Sequence, residues 1–73
     1  MTYRQIHARA EAVLLAMVAE GRAEFVGQGR HGPVFRVPKA EALNRMEAAG
    51  LMGDRVPWPH TIRAFLALVE VAP

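Results

Sequence analysis

The segment Arg22–Lys39, RAEFVGQGRHGPVFRVPK, constrains the fold more than any other part of the chain. Apolar residues alternate with other residues on both sides of a glycine-rich centre, a pattern typical of two strands joined by a tight turn. Glycines in the centre tolerate the positive φ angles that such turns often need. We therefore predict a two-stranded antiparallel hairpin with a glycine-rich, basic tip.

Side-chain chemistry selects a register for this hairpin. Placing Gly27 opposite Pro33 pairs Phe25 with Phe35 on one face, and we expect helices to bury that face. The same register pairs Ala23 with Val37 and lets Glu24 face Arg36. The alternative, with Gln28 opposite Pro33, sets Phe25 against Arg36, and a one-residue shift inverts every side chain. We therefore predict the first register.

Three helices are expected around the hairpin, because apolar residues recur there at helical spacing. The predicted ranges are Tyr3–Glu20, Pro38–Ala49 and Pro59–Val71. Thr2 is a plausible N-cap, while Gly21 and Gly50 suit helix C-termini. The predicted buried residues are Ile6, Ala10, Val13, Leu14, Met17, Val18, Ala42, Leu43, Met46, Ala49, Leu51, Met52, Ile62, Phe65, Leu66 and Val69.

The resulting fold class is α+β, with three helices packed on a two-stranded antiparallel hairpin in the order α-β-β-α-α. At 73 residues, the chain is expected to form a single compact domain over residues 1–73. The first helix is the longest element, so we expect it to be the main cover of the sheet.

Charge is concentrated in the hairpin. The chain has a net charge of +2, whereas Arg22–Lys39 alone has a net charge of +3, because it contains four cations and one acid, Glu24. A basic focus attracts anionic partners, either nucleic-acid phosphates or an acidic protein surface. The chain contains no cysteine, which fits a reducing compartment, and no signal peptide or membrane span is expected. We therefore expect a cytoplasmic location.

Catalytic chemistry is not expected from this sequence. His7, His31 and His60 are far apart along the chain and lack the spacing of metal ligands. Hydroxyl nucleophiles are few, and Thr61 fits the first turn of the last helix. We predict no enzyme activity, no catalytic residue, no metal, no cofactor and no small-molecule substrate.

The glycines of the hairpin spell G-x-G-x-x-G-x-V from Gly27 to Val34. Over about eight residues this resembles the glycine-rich loop of protein kinases, which implies contact with nucleotide phosphates. A kinase needs catalytic and metal-binding aspartates on a far larger body, and Lys39 is not at the spacing of the strand lysine. We therefore interpret these glycines as the residues that allow the hairpin tip to turn tightly and to twist.

The string LNRMEAAGLM resembles the end of the recognition helix in winged-helix regulators, which implies DNA or RNA binding. Wings are also basic hairpins. The order of elements argues against this assignment, since a wing usually follows its helices. The connection between the second and third helices is also about twice the three or four residues of a helix-turn-helix. Nucleic-acid binding stays open as the alternative function.

Trp58, the only tryptophan, lies in the loop GDRVPWP, three positions after Arg55. Interfaces favour tryptophan and arginine as energetic anchors. Alternatively, Trp58 closes the open end of a small core.

In size and general character, the chain is similar to the small phage-encoded transcription regulators that bind bacterial RNA polymerase, of the Xanthomonas phage type. The resemblance implies a non-enzymatic protein that binds a polymerase subunit, inhibits initiation and alters termination. We therefore predict a regulator that binds a host protein machine, with RNA polymerase as the specific candidate. The predicted partner-binding residues are Arg22, Arg30, His31, Arg36, Lys39, Arg55 and Trp58.

Overall fold

The computed structural model describes residues 1–53, 56 and 58–70. It confirms an α+β fold in the order α-β-β-α-α. The last helix ends at Leu68, earlier than the predicted Val71, which lies outside the described residues; Val69 forms a bridge with Phe35 instead. The elements are α1 (Tyr3–Ala19), β1 (Glu24–Gly29), β2 (Gly32–Arg36), α2 (Lys39–Ala48) and α3 (Trp58–Leu68).

Helix ends follow from local sequence. The hydroxyl of Thr2 accepts a hydrogen bond from the Gln5 N–H, and the Gln5 side chain accepts one from the Thr2 N–H, so both backbone donors are satisfied. α2 stops at Gly50, whose φ of 82° favours glycine. Just beyond it, the Leu51 N–H donates to the Met46 carbonyl at 3.0 Å, and the Leu51 side chain is buried. The predicted N-cap and glycine stops are therefore confirmed.

The hairpin contains both of the registers that the sequence offers. Phe25 pairs with Phe35, as predicted, but Gly27 pairs with Val34 and Gln28 with Pro33. The predicted Gly27–Pro33 pair is therefore wrong. A β-bulge between Phe25 and Gly27 shifts the register by one residue.

The two-residue turn at the tip accounts for the register shift. Gly29 pairs with Gly32, which leaves Arg30 and His31 as a two-residue turn. Continued to the tip, the register of the phenylalanine pair would place Gln28 opposite Gly32 around a three-residue loop, so the two-residue turn requires a shift of one residue. One extra residue in β1 lets the strands satisfy both the apolar pair and the turn.

α3, rather than α1, covers the sheet. α1 packs mainly against α3 and to a smaller extent against α2, while β2 packs against α3. Beyond the end of α3, the Glu70 N–H donates to the Phe35 carbonyl at 2.9 Å, and Val69 forms a parallel bridge with Phe35. The hydrogen bond and the bridge tie the outer edge of β2 to the end of α3. The prediction that α1 is the main cover of the sheet is therefore wrong. The buried core consists of Ile6, Ala10, Leu14, Met17, Phe35, Ala42, Met46, Leu51, Ala64, Phe65, Leu68 and Val69.

Some predicted core residues lie at the surface. Leu66 is 58% exposed and Phe25 is 50% exposed, and Ala49 is exposed as well. The buried face of α3 is rotated away from Leu66 because Thr61 belongs to it: its hydroxyl donates to the Leu51 carbonyl at 2.6 Å. The predicted residues that are only half-buried are Val13, Val18, Leu43, Met52 and Ile62.

Within the described part of the chain, none of the helices combines the length and the apolar character that crossing a bilayer requires.

Candidate functional site

The positive charge of the hairpin is partly compensated within the chain. Arg36 donates to Glu24 at 3.2 Å, as the predicted pairing of these strand residues implies, and to Glu70 at 2.9 Å. The hydrogen bond that Arg36 donates to Glu70 is the main reason that the pKa of Arg36 lies above its ordinary value, and the negative charges of Glu70 and Glu24 add to it. Arg22 pairs with Glu41 at 3.3 Å. The predicted partner-binding role of Arg22 and Arg36 therefore requires that a partner compete with these carboxylates.

The remaining predicted cations lie in the turn and beyond the far end of β2. Arg30 and His31 form the turn and are both exposed, and Lys39 is exposed at the first residue of α2. Within residues 1–53, 56 and 58–70, neither Arg30 nor Lys39 takes part in an ion pair. Of the predicted partner-binding cations, these two are the ones most readily offered to an anionic surface.

Two exposed apolar side chains lie on β1, the strand that leads to the turn. Phe25 is half exposed although its ring packs edge-to-face on Phe35, with the centroids 5.9 Å apart. Val26, the residue at the bulge, is 43% exposed. Sequence reasoning assigned Phe25 to the core and did not select Val26. The available sequence signal for Val26 was the register: a two-residue turn together with a Phe25–Phe35 pair leaves one residue of β1 unpaired.

A second group forms at the other side of the tip, where the three histidines of the chain gather around the start of α1. The Tyr3 ring lies 5.9 Å from the His7 ring and 6.0 Å from the His60 ring, and the Arg63 guanidinium lies 4.2 Å above it. His31 reaches the same neighbourhood from the hairpin turn. Separation along the sequence hid this group, because α3 and the hairpin bring its members together only through the fold.

A cleft opens between the first turns of α1 and the hairpin tip. Its volume is about 540 Å³, and the residues that line it are Tyr3, Arg4, His7, Ala8, Glu11 and His31. The Nε2 atom of His7 is buried and lacks a hydrogen-bond partner among the described residues. Within those residues, no three histidine or acidic side chains are placed to hold a metal ion.

Trp58 lies at the surface. It is the first residue of α3 and is 53% exposed, so it does not fill the end of the core. Leu66 lies two helical turns further along the same helix and is also exposed. Arg55, the remaining predicted partner-binding residue, lies outside the described residues.

Comparisons with family models, with curated proteins and with solved structures found no match for this chain.

Proposed function

We propose that this chain is a non-enzymatic regulator that binds a larger protein assembly through its hairpin, with bacterial RNA polymerase as the specific candidate partner. One observation carries the proposal. Phe25 and Val26 are both exposed on β1, the strand that leads directly to the exposed Arg30 of the turn. Protein interfaces are enriched in aromatic side chains and arginine, and this hairpin exposes both.

The energetic argument concerns Phe25. A half-exposed phenylalanine leaves apolar area in water that a partner can still cover. Arg30, at the end of the same strand, adds an orienting charge that favours acidic partners and speeds association. Trp58 offers a second exposed aromatic side chain on α3.

The polymerase version rests on the similarity in size and character to small phage-encoded regulators, and it is tested directly. Purified protein and bacterial RNA polymerase are mixed at micromolar concentration and run on a sizing column. Co-elution is expected, since complexes with dissociation constants of about 1 μM or below persist under these conditions. Independent elution would exclude polymerase as the partner.

Matched variants test the surface. Phe25→Ser and Arg30→Glu are expected to weaken binding. Leu15→Ser and Arg9→Glu are the controls, since Leu15 on α1 is as exposed as Phe25, at 50%, and Arg9 is an exposed cation on α1. If the hairpin variants bind as well as the controls, the hairpin is not the contact surface.

Nucleic-acid binding is the rival function, and the uncompensated charge of Arg30 and Lys39 favours it. It predicts affinity for duplex DNA or RNA that falls steeply as salt rises, because each neutralised phosphate releases counterions. A steep salt dependence that Arg30→Glu reduces, while Phe25→Ser leaves binding intact, would favour this rival over protein binding. Lack of a mobility shift at low salt would remove it.

A further inference from the structure

The cleft between α1 and the hairpin tip is a second candidate site: five of its lining residues belong to α1, and the sixth, His31, lies in the hairpin turn that the proposed protein-binding surface also uses. We propose that it binds the phosphate group of a small molecule. At about 540 Å³, it falls within the usual range of small-molecule sites, roughly 300–1,000 Å³. The hairpin backbone closes one side: a Cβ atom added at Gly32 would lie 3.6 Å from a Glu11 carboxylate oxygen and 3.8 Å from the His7 ring.

Charge around the cleft favours an anion. Arg4 and His31 line it from opposite elements, and Arg30 is the neighbour of His31 in the turn. Arg63 lies over the ring of Tyr3, which also lines the cleft. In the part of the chain that the structure describes, these arginines take part in no ion pair, unlike Arg22, Arg36 and Arg45. Cations gathered around a concave surface raise the local concentration of anions.

The donors approach from two directions, which suits a tetrahedral anion. Arg4 and His7 lie one turn apart on α1, while His31 comes from the turn of the hairpin. A phosphate offers several acceptor oxygens and can bind donors from both elements at once.

Glu11 is the single acid that lines the cleft. Its carboxylate can accept a hydrogen bond from a hydroxyl or amino group, so it suits a phosphate carried by a small molecule that has such a donor. Three probes separate the phosphate from the rest of a ligand. Inorganic phosphate has the phosphate group alone, adenosine monophosphate has the phosphate and a nucleoside, and adenosine has the nucleoside alone.

Backbone amide NMR of the full chain tests the proposal. Sodium phosphate replaces chloride at constant ionic strength near neutral pH, and saturable shifts are expected at Arg4, His7, Ala8, His31 and Gly32. Shifts that grow linearly, or that extend equally to Lys39, would show non-specific charge binding and overturn the site. Adenosine monophosphate binding more tightly than phosphate identifies a nucleotide-type ligand, and equal binding identifies the phosphate alone. Adenosine binding as tightly as its monophosphate would overturn the proposal.

A matched pair of variants tests the residues. Arg4→Gln should raise the dissociation constant for phosphate by about tenfold or more, since it removes a charged hydrogen bond. Arg9→Gln, on the same helix but not among the lining residues, should change it by less than about twofold. Equal effects of the two variants would overturn the site. Circular dichroism verifies that both variants are folded. Neither Arg4 nor Arg9 belongs to the hairpin surface proposed to bind a protein. A failure to bind phosphate therefore does not affect the protein-binding proposal, and a failure to bind a protein does not affect the phosphate site.

Discussion

The two phenylalanines of the hairpin are expected to respond very differently to the same substitution. They face each other across β1 and β2, yet Phe35 is completely buried and Phe25 is 50% exposed. Phe35→Ala opens a cavity at the junction of the sheet with α3 and should lower the free energy of unfolding by about 3–5 kcal/mol. For a chain of 73 residues, whose total stability is about 4–11 kcal/mol, this is a large share.

Phe25→Ala should cost much less. Burying a whole phenylalanine is worth about 1.5–3 kcal/mol, so the covered half contributes about 1 kcal/mol. The edge-to-face contact with Phe35 adds about 0.5–1.5 kcal/mol, which both variants lose. The expected cost is therefore about 1.5–2.5 kcal/mol, and the variant should stay folded.

Urea unfolding followed by far-ultraviolet circular dichroism measures both costs. The stabilities of wild type and Phe25→Ala come from fitted transitions, and Phe35→Ala is expected to begin unfolding at far lower urea or to be unfolded in buffer. Equal destabilisation by the two substitutions would refute the reasoning, since it would mean that Phe25 is a core residue. It would also remove Phe25 from the proposed binding surface.

Three further outcomes are expected. Thr61→Val leaves the Leu51 carbonyl without its donor and should cost about 1–3 kcal/mol, measured by urea unfolding, while Thr61→Ser should recover part of it. Gly50→Ala should cost about 1–2 kcal/mol in the same assay because φ is 82°, although space is available for the methyl group; no loss would contradict the backbone argument. The hydrogen bond from Arg45 lowers the pKa of Glu20, so this contribution to stability is present above the unfolded pKa of about 4.5 and is lost as the pH falls through the folded value. In thermal melts, Glu20→Gln should therefore show a smaller loss of stability than wild type between neutral and acidic pH; an unchanged pH profile would contradict it.

Local features of the fold were predictable from sequence because they depend on a few neighbouring residues. The helix periodicity, the Thr2 cap, the glycine stops and the Phe25–Phe35 pairing all follow from local rules, and the structure has them. The site was predictable only in part. The exposed tip was identified, but its register was not, because the turn and the apolar pair demand different pairings and only a bulge satisfies both.

What the sequence alone determined is the set and order of the elements, the basic tip and the aromatic pair that ties the two strands together. Tertiary structure decided which surfaces remain available. It neutralised Arg36 with Glu70, a residue 34 positions away, and it left Phe25 half in solvent while burying its partner. It also gathered three widely separated histidines around Tyr3 beside the cleft. Each of these outcomes depends on where α3 docks, and helix docking is set by long-range packing, which no local pattern along the chain encodes.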